Sequence, residues 1–572
     1  MGDSKRFSIL FPEKSEAEVK RLSDTTYHDL GIDAVLNSVT DDAKERQMIS
    51  DVLSNMTSDP DVSSYRQAIF ADLIDNPKLR DELKDLFEKI EFLKSFNTIH
   101  KTSDEEIGIW HLFQRLDEID SYIKCVEGLK SSLSDERIRS QGLQGLKRYI
   151  DDLYDEAFFE QMKKDIKELK VKASDVKSVT VGINVNDRLE AVSMGLVSVN
   201  KRSFKKSGIV SSFSDAIATK DSINEDTEWD GDMHYKEVDK DNKNDLAAAL
   251  ERSAGISTIA FVDSKIKSTL AGVSDGDSTK TSTFYLENVL NKMLGSMVKT
   301  LRDTLTKYAN IAIVNISQLV PEFIYYIRFA EFIDNQRAKG FAFCEASVTG
   351  RDGISMDAKG FYNIRLALTL PSMNDIVTND LIFDDTRLIY ILTGANRGGK
   401  TTITQAVGLL YVLAQGGIYV PASSFEYKPV DQIYTHFPAD EDKTTDLGRL
   451  GEECVRFKEI YQACTDRSLI LLNESFSTTS FEEGYYIAKD CIKALMRRRV
   501  RTIYNTHMHK LASDSDMEEL NGSDTGHVAA SLVMMSDSGK RSFKVVEAPP
   551  EGLSYARDIA EKYGVTYELL TE

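Results

Sequence analysis

The sequence predicts a mainly helical region followed by an α/β domain, and three observations lead to this division. The chain has 572 residues, which at roughly 150 residues per domain suggests about three or four units. Apolar residues recur at helical spacing through much of the first half. A strand, a glycine-rich loop and a helix then follow one another in residues 387–415. Because phosphate-binding loops occur in this strand-loop-helix context, we expect a P-loop nucleotide-binding fold there.

Composition limits the classes of protein that this sequence can encode. Hydrophobic residues make up 41% of the chain and only 10 residues are proline, which is typical of a globular, helix-rich protein. The first residues lack the apolar segment of a signal peptide, and no apolar run is long enough to span a bilayer. The 5 cysteines show no C-x-x-C spacing, which disfavours a zinc site and a disulfide framework. We therefore predict a cytoplasmic protein without a membrane partner.

The net charge of −21 disfavours a protein that coats nucleic acid by bulk attraction, because phosphate contacts require Lys and Arg at the contact surface. Two local basic runs remain. We interpret residues 496–501 as a helix end that leads into a strand. Residues 199–206 are the better candidate for phosphate contacts because Phe204 lies among the basic side chains. The candidates for DNA contact are Lys201, Arg202, Lys205 and Lys206.

The first region, residues 1–170, is predicted to be helical. Its apolar side chains recur close to helical spacing at Ile69, Leu73, Leu79, Leu83, Leu86 and Ile90. Asn76 and Pro77 interrupt this stripe, and a proline inside a helix removes a hydrogen bond and clashes with the preceding turn. We expect two helices that are separated at this dipeptide.

The second region, residues 171–340, is predicted to contain a small β element and long helices. Apolar residues alternate with polar or small ones from Val179 to Val185, as in a half-buried strand, and a turn at Asn186-Asp187 could return a partner strand. The acidic residues of about 213–255 fit a surface insertion better than a calcium loop, because the required Gly and Glu positions are occupied by other residues. An apolar stripe at helical spacing ends at Leu305 and predicts a core helix.

The third region, residues 341–572, contains the pattern Gly394-x-x-x-x-Gly399-Lys400-Thr401. Glycines in such a loop let backbone N–H groups surround phosphates, and the following helix contributes the positive end of its dipole. Lys400 would supply charge at the β- and γ-phosphates, and the Thr401 hydroxyl can bind Mg²⁺. The loop therefore predicts a site for ATP with Mg²⁺.

The segment TGANRGGKTT resembles the TGPNMGGKST loop of the MutS family of ATP-driven DNA mismatch repair proteins. Five further segments resemble motifs of this family in the same order: GGIYVPASSF (416–425), DQIYTHFPADED (431–442), LILLNESFSTTSFEEG (469–484), YNTHMHKLA (504–512) and EGLSYARDIAEKYGV (551–565). The resemblance implies an α/β P-loop NTPase domain of the ABC/MutS type over residues 341–572, with a C-terminal helical dimerisation segment. It implies that residues 1–170 are a core-like region and that residues 171–340 contain lever-like helices.

The resemblance also implies roles for single residues. Glu474 would polarise the attacking water, and His507 would sense the γ-phosphate; a core histidine is the alternative for the latter. Thr401 and Asn473 would hold Mg²⁺, and Tyr362 would lie near the adenine. The residues that would bind ATP are Gly394, Ala395, Asn396, Arg397, Gly398, Gly399, Lys400, Thr401, Thr402 and Tyr362.

Two departures from the family pattern concern hydrolysis. The family has an Asp where this chain has Asn473, so the metal loses a neighbouring negative charge. The family also has a Ser that reaches the γ-phosphate from a partner subunit, and alignment through Glu453 places Gly448 there. The candidates for this contact across the dimer are Gly448 and Arg449, and a glycine could offer only its backbone N–H. We expect a slow ATPase, with nucleotide binding without turnover as the alternative.

Two functions remain open. The first is a dimeric clamp whose ATP binding and slow hydrolysis gate its binding to duplex, branched or mismatched DNA in repair or recombination. The second is an ATP-dependent switch or scaffold for a protein or ribonucleoprotein partner, without mismatch recognition. The acidic charge and the lack of an identified aromatic wedge domain favour the second.

Overall fold

The computed structural model describes residues 7–13, 15–99, 109–174, 178–185, 187–188, 191–200, 295–308, 318–394, 399–438, 448–522, 529–537, 540–550, 561 and 563–571. The chain divides into two compact units. One contains Met1–Glu88, Leu129–Tyr149 and Asn315–Glu572, and the other contains Lys89–Gly128 and Ile150–Val314. The division of the sequence at residues 170 and 340 stays a prediction. The acidic insertion and Lys201, Arg202, Lys205 and Lys206 lie outside the described residues.

The N-terminal part of the chain is helical, as predicted. Its elements are β1 (Lys20–Arg21), α1 (Asp24–Leu30), α2 (Ile32–Val39), α3 (Ala43–Leu53), β2 (Asn55–Met56), α4 (Pro60–Asp75), α5 (Pro77–Ile99), α6 (Ile109–Ser132), α7 (Gln141–Asp155) and α8 (Ala157–Ser174). The predicted break is confirmed, because α4 ends before Asn76 and α5 begins at Pro77. Of the predicted apolar stripe, Leu86 is only half-buried and Phe87 takes its place in the core.

The predicted β element is also confirmed. Strands β3 (Ser178–Val185) and β4 (Ala191–Asn200) pair antiparallel, with irregularities in register after Thr180 and after Asn184. Helix α9 (Gly295–Lys307) follows, and its Leu301 and Leu305 are buried, as the apolar stripe predicts. Helix α10 (Val320–Ala338) begins with Pro321 in its first turn, where a missing N–H costs no hydrogen bond.

The remaining elements build two sheets with covering helices. They are β5 (Ala346–Val348), β6 (Ile354–Phe361), α11 (Ile364–Ala367), β7 (Asn379–Asp384), β8 (Ile389–Gly394), α12 (Lys400–Gln415), β9 (Ser424–Tyr427), β10 (Ile433–His436), α13 (Gly448–Ala463), β11 (Leu469–Asn473), α14 (Phe481–Arg498), β12 (Arg501–Asn505), α15 (Asp514–Asn521), β13 (Ala529–Asp537), β14 (Lys540–Glu547) and α16 (Tyr567–Thr571). The basic run at 496–501 thus contains the end of α14 and the start of β12, as predicted.

The larger sheet positions the site. Its strand order is β10-β11-β12-β8-β13-β14, and all neighbours are parallel except β13 and β14. Strands β8, β11 and β12 are buried along their whole length, as expected for parallel strands that are covered on both faces. The smaller sheet has the order β5-β9-β6-β7. Within the described ranges, no helix is long and apolar enough to cross a membrane.

Candidate nucleotide-binding site

The carboxyl ends of three neighbouring parallel strands meet at one edge of the larger sheet. Asn473, the last residue of β11, pairs in register with Asn505, the last residue of β12, and Asn505 pairs with Leu392 of β8. Ligands of open α/β sheets bind at this edge. The strand order therefore brings together residues that are between 32 and 113 positions apart in the sequence.

The phosphate-loop residues that the structure describes have the expected backbone. Gly394 ends β8 with φ 127°, and Gly399 precedes α12 with φ 97°, a region that side chains other than glycine rarely adopt. Helix α12 then begins at Lys400, so its first N–H groups and the positive end of its dipole face the loop. Thr401 and Thr402 lie in its first turn. The loop residues Ala395, Asn396, Arg397 and Gly398 lie outside the described residues.

Lys400 is held inside this loop. Its side chain is 5% exposed, and its Nζ donates a hydrogen bond to the Gly394 carbonyl oxygen at 3.0 Å. Burial lowers the pKa of the Lys400 ammonium, while the charge of Glu474 acts in the opposite direction. An ammonium in this position stabilises added negative charge, such as that of phosphate oxygens.

Thr401, Asn473 and Asn505 form a hydrogen-bonded cluster beside Lys400. The Thr401 hydroxyl donates to Asn473 Oδ1 at 2.9 Å. Asn505 Nδ2 donates to Thr401 Oγ1 at 3.3 Å and also to Asn473 Oδ1. Asn505 Oδ1 is buried and has no hydrogen-bond partner among the described residues.

This cluster fits a Mg²⁺ site of the P-loop kind. Its donors are hydroxyl and amide oxygens, which suit Mg²⁺, and Mg²⁺ commonly takes its remaining ligands from phosphates and water. In the part of the chain that the structure describes, no group of three or more His, Cys, Asp or Glu side chains could hold a metal by itself. A nucleotide would therefore have to complete the coordination.

Glu474 and His507 form the second half of the site. His507 Nε2 lies 2.8 Å from Glu474 Oε1 and donates to this carboxylate. This hydrogen bond is the main cause that lowers the pKa of Glu474, with help from the charge of Lys400. Both side chains are partly exposed. The pair therefore presents an ionised carboxylate and an imidazole to the same space.

The loop that begins with Glu474 is held in an unusual conformation. Glu474 and Phe476 have φ values of 52° and 64°, which cost free energy for residues other than glycine. Glu474 N donates to the Asn505 carbonyl at 2.8 Å. Phe476 N donates to the carboxylate of Glu453 on α13, and Tyr504 Oη donates to the Ser475 carbonyl at 2.7 Å. These contacts fix the direction of the Glu474 side chain.

An open cavity of about 440 Å³ is lined by Glu474, by residues at the start of α12 and by apolar side chains. Lys400, Thr401, Thr402 and Glu474 line its polar end, and its apolar wall includes Tyr362 and other residues, namely Phe361, Leu366, Ile376 and Phe543. Tyr362 is mostly buried and donates from Oη to the Ala342 carbonyl at 2.8 Å. Its proximity to an adenine stays a prediction.

The candidates for a contact across a dimer lie at the start of another helix. Gly448 and Arg449 are exposed in the first turn of α13. Gly448 has φ 67°, and among the described residues no atom lies within 4 Å of a Cβ built on it. The predicted role of these two residues needs a second subunit and stays a prediction.

Asn505 was not predicted as a site residue, because it lies in the YNTHMHKLA segment at a position to which the resemblance gives no role. A signal was present, since Asn505 is a polar residue at the carboxyl end of a predicted strand, where ligands of open α/β sheets bind. Its meaning depended on the adjacency of β11 and β12, which the sequence pattern alone does not give.

Two family models match long segments of this chain. The family model described as MutS domain V matches residues 390–566, and the model described as the MutS2 N-terminal domain matches residues 58–334. The chain is 35% identical over 164 residues to the DNA mismatch repair protein MutS of Macrococcus caseolyticus. The matched segment is 28% of this chain and 19% of that relative.

Two further relatives match longer segments. The DNA mismatch repair protein MutS 2 of Halobacterium salinarum is 30% identical over 219 residues, covering 38% of this chain and 24% of the relative. The endonuclease MutS2 of Thermus thermophilus is 28% identical over 200 residues, covering 35% of this chain and 26% of the relative. The chain thus spans between 19% and 26% of the length of these three relatives. The two family models and the relatives named MutS and MutS2 show that this chain belongs to the MutS family.

Proposed function

We propose that this chain binds ATP with Mg²⁺, hydrolyses it slowly, and uses its nucleotide state to control a dimer that binds duplex or branched DNA. The observation that carries this proposal is a cavity at the strand ends that is lined by Lys400, Thr401 and Glu474, with His507 hydrogen-bonded to Glu474. Phosphoryl transfer needs little covalent chemistry from a protein, because catalysis consists mainly of positioning and charge stabilisation.

The nucleotide phosphates would lie on the N-terminus of α12. The first N–H groups of this helix and the Lys400 ammonium provide the positive charge that the β- and γ-phosphates require. Thr401 would bind the metal directly, and the Asn473 amide oxygen accepts from its hydroxyl at 2.9 Å. Bound Mg²⁺ supplies charge neutralisation at the phosphate oxygens.

Glu474 would orient the attacking water. Because its pKa is lowered, the carboxylate stays ionised at neutral pH but is a weak base. It would therefore position the water rather than remove a proton early in the reaction. His507 holds this carboxylate and can also donate to the charge that develops on the transferred phosphoryl group. A weak base and a neutral Asn473 both favour slow turnover.

A switch or scaffold for a protein or ribonucleoprotein partner is the second candidate. The observation that favours it is the net charge of −21, which opposes broad attraction to DNA. In that function nucleotide occupancy would matter more than hydrolysis. Both candidate functions require the same ATP site, and both therefore predict that the protein binds ATP.

Calorimetry with ATP and Mg²⁺ tests the site. Wild-type protein should bind ATP, and Lys400→Ala should bind at least about a hundredfold more weakly, because a buried charge-assisted contact is lost. Lys78→Ala is the matched control, since this lysine side chain is 80% exposed on α5. Equal ATP affinity in wild type and Lys400→Ala would contradict the assignment.

Phosphate release then tests turnover. Wild-type protein should release phosphate slowly but above background, and Glu474→Gln should lose this activity while it keeps ATP affinity. Glu482→Gln, an exposed position on α14, is the control. Wild-type protein that binds ATP but shows no turnover would favour a switch that responds to occupancy alone.

A further inference from the structure

Asn505 contains a buried oxygen that the described protein groups leave unsatisfied. Its side chain is 0% exposed, yet Oδ1 has no hydrogen-bond partner in the described part of the chain. The amide nitrogen of the same side chain donates to Thr401 Oγ1 and to Asn473 Oδ1. Buried polar groups are almost always paired with protein or with ordered water. The Oδ1 atom therefore indicates a further partner at the position next to Thr401.

The hydrogen bonds of Thr401 leave it ready to bind a cation. The hydroxyl has one hydrogen, which it donates to Asn473 Oδ1 at 2.9 Å. One of its two lone pairs accepts from Asn505 Nδ2 at 3.3 Å. The second lone pair remains for a cation. The two asparagines thus set the orientation of the hydroxyl.

The same contacts use the acceptor capacity of Asn473. Its Oδ1 accepts from the Thr401 hydroxyl and from Asn505 Nδ2, and an amide oxygen has two lone pairs. A water bound to a metal would therefore find no further acceptor on Asn473 Oδ1. In the cluster of these three residues, Asn505 Oδ1 is the amide oxygen that remains available to accept a hydrogen bond from such a water.

We infer that Asn505 is a positioning residue for Mg·ATP: its Oδ1 accepts a hydrogen bond from a metal-bound water, while Asn473 orients the Thr401 hydroxyl. This inference rests on the proposed ATP site and changes the role of Asn473 within it. The site then contains two neutral amides in place of one carboxylate. Metal binding depends on oriented oxygen atoms there and gains no negative charge from either amide.

Binding of a fluorescent ATP analogue, with Mg²⁺ and with excess EDTA, tests this role without a need for turnover. In the wild type, Mg²⁺ should increase the affinity for the analogue. Asn505→Ala should lower this increase by about tenfold, the effect of losing a hydrogen bond to a charged group, and should leave the affinity in EDTA within about twofold. Asn55→Ala, which removes an amide whose Nδ2 donates to the Asp51 carbonyl, is the matched control.

Asn505→Asp provides a second measurement if Asn505→Ala fails to fold. An aspartate loses the N–H donor to Thr401 and Asn473, but it keeps an acceptor oxygen and adds a negative charge beside the cation. Because this charge outweighs the lost donor, the Mg²⁺ concentration for half-maximal binding of the analogue should fall below the wild-type value. An unchanged or higher value would overturn the inference. Electron paramagnetic resonance of Mn²⁺ bound with ATP gives an independent readout, and its spectrum should change in both Asn505 variants.

The outcomes separate this inference from the proposed function. Analogue binding with a full Mg²⁺ effect in Asn505→Ala would overturn the role of Asn505 and leave the ATP site intact. A loss of affinity that is equal in Mg²⁺ and in EDTA would mean that Asn505 acts only on the fold, which also overturns it. Failure of the wild type to bind the analogue at all would overturn both.

Discussion

His436 is a buried histidine behind the Glu474 loop. Its Nε2 donates to the Glu453 carbonyl at 3.0 Å, and Ser475 Oγ lies 2.7 Å from its Nδ1. Burial, followed by the charge of Arg456, lowers the pKa of His436 to about 4. The imidazole is therefore neutral in the folded protein at physiological pH, and its proton lies on Nε2 because a carbonyl can only accept.

Acid should destabilise the protein through this residue. An unfolded histidine has a pKa of about 6.5, so between pH 6.5 and pH 4 the unfolded chain binds a proton that the folded chain does not. The free energy of unfolding should fall by up to about 3 kcal/mol as the pH decreases through this window. In His436→Gln this part of the pH dependence should disappear.

Urea denaturation at several pH values measures this effect as a difference between variant and wild type. His28→Gln is the control, because the His28 side chain is 78% exposed. An unchanged pH dependence of stability in His436→Gln would show that His436 titrates normally.

Single residues could be predicted where a motif fixes their chemistry. Lys400 and Thr401 follow from the phosphate-loop pattern, and Glu474 and His507 follow from the resemblance to the MutS motifs. Lys400, Thr401 and Glu474 line one cavity, and His507 is hydrogen-bonded to Glu474. Asn505 could not be predicted in this way. Its contacts with Thr401 and Asn473 depend on strand adjacency, and its unsatisfied oxygen is visible only when the buried atoms are placed.

Among the elements, helix α14 supports the Glu474 loop directly. Gly484 lies in its first turn, and a Cβ at this position would lie 2.4 Å from the backbone carbonyl oxygen of Phe476. The helix can approach the loop this closely only because Gly484 has no side chain. The loop in turn contains Glu474 and Phe476, both at positive φ.

Gly484→Ala should therefore reduce both stability and hydrolysis. Overpacking against backbone costs about 1–3 kcal/mol, which exceeds the helix-propensity gain of up to about 1 kcal/mol on replacing glycine by alanine. Displacement of the loop should lower phosphate release more than ATP affinity. Urea denaturation, phosphate release and calorimetry measure these three quantities.

Gly350→Ala is the matched control, because no described atom lies within 4 Å of a Cβ built there and its backbone is not left-handed. A Gly484→Ala variant with wild-type stability and turnover would contradict this prediction, because the loop would then accommodate the added methyl group without loss of stability or activity.

The elements themselves could largely be predicted. Periodicity located the helix break at Asn76-Pro77 and the β3–β4 pair, and the phosphate-loop pattern located β8 and α12. The order of the larger sheet could not be read from periodicity, because every strand of a parallel sheet has a similar apolar pattern. For the same reason, the sequence pattern does not predict that Asn473 and Asn505 are register partners on neighbouring strands.

At the scale of the whole molecule, the proposed contact across a dimer predicts an effect of ATP on association. Gly448 and Arg449 are exposed at the start of α13, where a second subunit could approach an ATP site. A ligand that binds between subunits stabilises the dimer by mass action, and the interface should be isologous. Sedimentation velocity at micromolar concentration should show a dimer that strengthens with Mg·ATP.

Lys400→Ala is the control for this measurement, because it should dimerise without any response to ATP. A monomer in the presence and absence of nucleotide would count against the composite site.

DNA binding, measured against salt and mismatch, separates the two proposed functions. Contacts from Lys201, Arg202, Lys205 and Lys206 to phosphates would release counterions, with each contact contributing about 0.9 to the slope of log affinity against log salt. Replacement of all four by Ala should reduce this slope by up to about 4. Arg497→Ala combined with Arg499→Ala is the control, because these residues lie at the end of α14.

Contacts to phosphates do not distinguish one base from another, so a single mismatch should not change the affinity for DNA at equal salt. A preference for mismatched duplex would reveal a base-reading element, and the lack of salt-dependent binding would favour a protein or ribonucleoprotein partner.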